Sequence, residues 1–136
     1  MTSVAKNMIL EIYCPDGGGD PGERLRFVVL EYINGQIDVA VVFRQTELDG
    51  SDVFTFFQGL LDPKRARFIL YDCHFQTADS SRRQELLLVT WWVVSGSELD
   101  PCLRLEFQLK EPVSRNYFGQ QLGKDVIRVE DKDISD

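Results

Sequence analysis

The chain has 136 residues, 43% of them apolar and 27% charged, which is the size and balance of one folded domain rather than of a disordered tail. Fifteen basic against 22 acidic side chains leave a formal charge of −7, which works against sequence-independent binding to nucleic acid and leaves acidic partners only a local basic patch. No apolar run approaches the roughly 18 to 20 residues of a membrane-spanning helix. Met1–Tyr13 carries Glu11 within its apolar part and no small-residue cleavage pattern, so neither membrane insertion nor a signal peptide is expected.

In chain order, Thr2 or Ser3 can cap a helix whose apolar residues Val4, Met8, Ile9 and Ile12 recur near helical spacing. Pro15 to Gly22 is dense in turn residues and reads as a loop. Leu25–Ile33 and Gln36–Phe43 are rich in β-forming side chains and are joined by Asn34-Gly35, a dipeptide that tolerates positive φ at both turn positions. A helix capped by Ser51 or Asp52 follows, with Val53, Phe56, Phe57, Leu60 and Leu61 on it, Gly59 near its end and Pro63 beyond.

Arg67–Phe75 and Leu86–Val94 read as strands, with the polar residues Gln76–Gln84 as the turn between them. The second is apolar almost without a break, which predicts a strand covered on both faces. Leu103, Leu105 and Phe107 alternate with Arg104, Glu106 and Gln108 as in a half-buried strand. Pro112 can open a helix through about Leu122 that bears Val113, Tyr117 and Phe118. Val126, Ile127 and Val129 make a last strand before the acidic tail. These elements predict an α/β (α+β) domain: a mixed central sheet of about five to six strands, flanked by helices on both faces.

Catalytic chemistry is thinly supplied, and no catalytic residue is assigned. The cysteines, Cys14, Cys73 and Cys102, are odd in number and widely spaced, so they fit neither a disulfide framework nor a zinc site. Three reduced thiols in a cytosolic protein are expected. His74 is the only histidine and follows Cys73 on one strand, so the two point to opposite faces and cannot form a dyad. Gly17-Gly18-Gly19 lacks the Lys-Ser/Thr of a phosphate loop and is flanked by Asp16, Asp20 and Glu23, which would repel phosphate. The tail from Glu130 lacks the spacing and bend glycine of a calcium loop. No metal or cofactor is expected. What remains are Arg82 and Arg83 at the tip of the second hairpin and Arg115 on the last helix, arginine being the cation enriched at protein interfaces. An interaction module is the expectation, ahead of a small cysteine-dependent hydrolase using Cys73 or Cys102, for which no motif is present.

Arg67-Phe-Ile-Leu-Tyr-Asp72, then Phe75, a polar turn with Arg82-Arg83, and Leu86-Leu-Leu-Val-Thr-Trp91 resemble the central hairpin of the actin-depolymerising factor homology domain. Lys110-Glu-Pro-Val-Ser-Arg-Asn-Tyr-Phe-Gly119 resembles the start of that family's long actin-binding helix. The order helix, hairpin, helix, hairpin, strand, helix fits as well, and the similarity covers about residues 25 to 130. It implies a single cofilin-type domain over residues 1–136 that binds monomeric or filamentous actin and modulates filament turnover in the cytoplasm as a monomer, without enzymatic chemistry.

On the monomer side the resemblance implies Ser3, Leu103, Ser114, Arg115 and Asn116. Ser3 also matches the serine whose phosphorylation blocks actin binding, by adding roughly −1.5 to −2 charge. On the filament side it implies Arg82 and Arg83. The acidic loop 15–24 and the end at Asp136, where many relatives continue into a further helix, imply weak severing. The scarcity of Lys and Arg there implies weak phosphoinositide binding. The alternative within the same fold is a glia maturation factor-like regulator of the actin-branching Arp complex.

Overall fold

A computed structural model describes residues 1–13, 23–61, 67–79, 81–91 and 113–134, and the backbone of 104–107. Its elements are α1 (Ser3–Tyr13), β1 (Leu25–Ile33), β2 (Gln36–Arg44), α2 (Gln45–Leu48), α3 (Val53–Leu60), β3 (Arg67–Thr77), β4 (Arg82–Trp91), β5 (Arg104–Phe107), α4 (Arg115–Leu122), β6 (Val126–Val129) and β7 (Lys132–Asp133). The sheet runs β2-β1-β3-β4-β5, with β6 on β3 and β7 on β6. Among the described residues only the β4–β5 pairing is parallel, so the sheet is mixed and the fold is α+β. β3 is long enough to hold two neighbours along one edge: Phe68–Tyr71 pair with β1 and Phe75–Thr77 with β6.

Strand alternation divides the core between the two faces. Phe27 and Val29 of β1, Ile69 and Tyr71 of β3, and Leu87 and Val89 of β4 turn to one side, where Phe54 and Phe57 of α3 and Phe118 of α4 cover them. Val28, Leu30, Phe68, Leu70 and Leu88 turn to the other, beneath Ala5 and Ile12 of α1. Helices therefore lie on both faces. Leu87, Leu88 and Val89 are fully enclosed, the double coverage that the unbroken apolar run predicts. The aromatic side is the heavier: Tyr71 stacks on Phe57 at 4.9 Å, and Phe118 meets Phe54 edge-on at 5.3 Å.

Local chemistry sets the ends of the elements. Asn34 and Gly35 both take positive φ (53° and 83°), the mirror-image turn whose twist suits a hairpin. Asp52, not Ser51, caps α3, its carboxylate accepting from Phe54 N at 3.3 Å and from Thr55 Oγ1 at 2.6 Å. α4 starts at Arg115 rather than at Pro112, because Ser114 is extended and its hydroxyl accepts from Tyr117 N at 3.1 Å. Pro112 lies outside the described residues.

Two other expectations shift, and one element is unforeseen. The inward stripe of α1 starts at Ala5 and continues through Met8, Ile9 and Ile12, leaving Val4 58% exposed. The 76–84 stretch is mostly strand: β3 runs on to Thr77 because β6 offers a second ladder, and the described turn between β3 and β4 starts only at Ala78. Asp79 ties that turn by accepting from Thr77 Oγ1 and from Ser81 N. The one-turn helix α2, with Glu47 accepting from Arg44 N at 2.9 Å, has too short a period to register in the apolar pattern.

Candidate functional site

The register Asp72↔Leu86, His74↔Gln84 and Gln76↔Arg82 sets His74, Gln76, Arg82 and Gln84 side by side on the α1 face of the sheet. That face changes character along β3. Phe68 and Leu70 lie in the apolar patch under α1, whereas Asp72, His74 and Gln76 continue it as a polar strip. At the strip a cavity of about 250 Å³ is lined by His74, Gln76, Arg82, Arg83, Gln84 and Asp131, with Phe75 as its apolar member. Arg82 and Arg83 are exposed, and neither is held in an ion pair with another described residue.

Beneath the strip lies a polar cluster that pattern reading missed. Arg26 is 2% exposed, at the start of β1. Its Nε donates to Asp72 O at 3.0 Å, Nη1 to Gln45 Oε1 at 2.6 Å, and Nη2 to both carboxylate oxygens of Glu130 at 2.6 and 2.7 Å. The Tyr71 hydroxyl donates to Glu130 as well, and so does His74 N at 3.3 Å. Asp72 in turn accepts from Arg24 Nε at 2.8 Å and from Gln84 Nε2 at 3.1 Å. A buried guanidinium needs a partner that meets its charge and its fork of donors, and Glu130 supplies both. Glu130 reaches it from the β6–β7 turn, where it and Asp131 take positive φ (53° and 68°), a conformation non-glycine residues rarely adopt.

The cluster sets the protonation of its neighbours. Burial alone would lower the Arg26 pKa, but the charge and hydrogen bonds of Glu130 hold it above the ordinary value. Burial, and then the charge and hydrogen bond of Glu130, push the Tyr71 hydroxyl well up. Burial and Glu130 do the same to the Cys73 thiol, which is therefore protonated and enclosed, the opposite of an attacking thiolate. His74 is shifted down, first by burial and then by the Arg26 charge. Its Nε2 is buried with no hydrogen-bond partner among the described residues.

No family model and no curated protein matches this chain.

The residues implied by the resemblance fall in three places. Arg82 and Arg83 open β4, side by side with the cavity. Ser3 is exposed at the start of α1, over one face of the sheet, while Ser114, Arg115 and Asn116 lie at the start of α4, over the other. The fold does not bring Ser3 together with that triplet, and Leu103 lies outside the described residues. Within the triplet, Ser114 is the helix cap and Asn116 Oδ1 accepts from Gln120 Nε2 at 2.9 Å. Arg115 is turned inward: its guanidinium pairs with Asp52 and sits 5.0 Å over the Phe54 ring. That role joins α4 to α3 and leaves little of its charge for a partner.

One signal could have found Arg26. It is the lone cation inside the apolar run Leu25–Leu30, where any inward-facing charge demands a buried counter-charge. Nothing local names Glu130, which stands 104 positions away in what reads as an acidic tail.

Proposed function

We propose that this chain is an actin-binding module of the actin-depolymerising factor homology type, working through its β3–β4 hairpin. The observation that carries the reading is the hairpin itself. The stretch that bears the resemblance, residues 67 to 91, pairs in unbroken register from Arg67↔Trp91 to Gln76↔Arg82, and presents two exposed arginines at the end where it turns. Arginine forks suit carboxylates on a partner surface, and on a chain of net charge −7 such a patch gives local complementarity to an acidic protein. The buried Arg26–Glu130 cluster under the strip fixes where His74 and the start of β4 stand, so the arginines project from a rigid base.

The element order also supports the reading, since it runs helix, hairpin, helix, hairpin, strand, helix apart from the short α2. The separation of Ser3 from α4 moves the emphasis from monomer to filament: a monomer site uniting them would have to span both faces of the sheet. Filament turnover is then modulated by differential affinity for filament states rather than by covalent chemistry. Co-sedimentation with actin filaments beside a fluorescent-monomer titration tests this. Filament binding stronger than monomer binding is expected. Binding to neither, with binding to the Arp complex, would replace actin as the target.

A further inference from the structure

We propose that the cavity on the α1 side of the β3–β4 hairpin binds one carboxylate, presented as an aspartate or glutamate side chain of a partner protein, with Arg82 as its counter-charge and His74 as its wall. The inference stands on the cavity alone and holds whether or not actin is the partner.

Size sets the first limit. About 250 Å³ is the room of roughly eight water molecules, below the range of drug-sized and cofactor sites but ample for one acidic side chain with a few waters. Polar chemistry sets the second. Arg82 and Gln76 face each other across the ladder, beside His74 and Gln84, so donors converge from two strands on one spot. Gln84 is already committed to Asp72, which leaves Arg82 and Gln76 to meet an arriving anion. A planar guanidinium pairs bidentately with a carboxylate.

Charge sets the third limit. Asp131 is in the wall and Asp72 lies one ladder step away, so a dianionic phosphoryl group would face two carboxylates where a carboxylate brings a single charge. His74 completes the argument. The groups that act on its ring are Arg24 and Arg26 from β1 and its approach, Asp72 from β3 and Glu130 from the β6–β7 turn, with Arg82, Arg83 and Asp131 sharing the cavity. Burial and the arginines hold the imidazole neutral near pH 7, and a carboxylate brought alongside would favour the protonated ring.

His74 is the only histidine, so nitrogen-detected NMR of the intact protein reads a single imidazole. The probes are a blocked Gly-Glu-Gly tripeptide, its Gly-Gln-Gly counterpart, sodium acetate and inorganic phosphate, all at matched ionic strength. The glutamate peptide should move the imidazole signals saturably and raise their titration midpoint, while the glutamine peptide leaves them in place. Arg82→Gln, at an exposed position, should weaken that response at least about tenfold, the loss of one charge-assisted pair. Acetate binding more weakly than the glutamate peptide supports a protein-borne carboxylate, and acetate binding as tightly overturns that source. Phosphate binding more tightly than either overturns the carboxylate assignment. An unmoved His74, or an equal response in Arg82→Gln, overturns the site.

Discussion

Glu130→Gln removes one charge from the most deeply buried ion pair described in the molecule and leaves its shape almost unchanged. Arg26 is 2% exposed and the Glu130 side chain 5%, so water cannot replace the lost carboxylate. Of the four side-chain hydrogen bonds that Arg26 donates, two go to Glu130. The amide can keep one oxygen as an acceptor, but it brings an NH2 group towards the guanidinium and the Tyr71 hydroxyl, both of which donate there. Leaving a buried charge uncompensated costs about 3–5 kcal/mol. Against a domain stability of about 5–15 kcal/mol, that is a large fraction of the whole.

The companion variant Arg26→Met leaves the Glu130 carboxylate buried without its counter-charge, so it should also cost about 3–5 kcal/mol, towards the lower end because the Tyr71 hydroxyl and His74 N still donate to that carboxylate. The double variant should lose at least about 2 kcal/mol less than the two single losses added, since the residues share one network. Urea unfolding followed by tryptophan fluorescence reads all three, Trp91 being buried at 2% exposure. A Glu130→Gln loss below about 1 kcal/mol, or strictly additive losses, would refute the view that Glu130 exists to neutralise Arg26.

Arg115→Ala should lower stability by about 1–3 kcal/mol, through loss of the Asp52 pair and the Phe54 contact, and an unchanged unfolding midpoint would show the residue to be idle in the fold. Acidification should destabilise the domain in two stages. His74, whose folded pKa lies below its ordinary 6.5, is more easily protonated when unfolded, so stability falls as pH drops below about 6.5. Asp52 and Asp79 are held below 3.8, Asp79 at about 2 by the Thr77 hydroxyl, so their contribution is present above pH 3.8 and lost as pH falls towards 2. Thermal melts from pH 7 to pH 2 check both, and a midpoint that rises on acidification contradicts them. Cys73 should resist alkylation in the native protein and react fully in denaturant, as mass spectrometry of the modified thiol reports; fast native labelling would contradict its burial.

Local signals were enough where one face or one turn decides the matter. Asn34-Gly35 predicts its hairpin because few other dipeptides hold two positive φ angles, and the β1 residues predict a core because neighbours on a strand face opposite ways. The α1 stripe is displaced by one position because Val4 is the more apolar residue, yet Ala5 is the one that fits closely against the sheet. The turn at 76–84 is misread because polar side chains there mark an exposed strand face rather than a break in the ladder. Of the candidate site, the two hairpin arginines are legible as exposed charge. The cavity beside them, and the Arg26–Glu130 pair below, come from chain segments that meet only when β6 docks on β3. Arg115 is the converse case: its surroundings, Asp52 and Phe54, lie more than sixty positions away, so its charge reads as available when it is engaged.

Arg82 and Arg83 are proposed to carry the contact with filamentous actin. Co-sedimentation of the wild type and of the double variant Arg82→Ala, Arg83→Ala with actin filaments, at low salt and at physiological salt, measures it directly. Exposed charges contribute little to folding, so the variant should unfold with the wild type. It should bind filaments at least about tenfold more weakly at low salt, and the gap should narrow at physiological ionic strength, where screening acts over about 8 Å. Equal co-sedimentation of the two proteins at low salt would contradict the account.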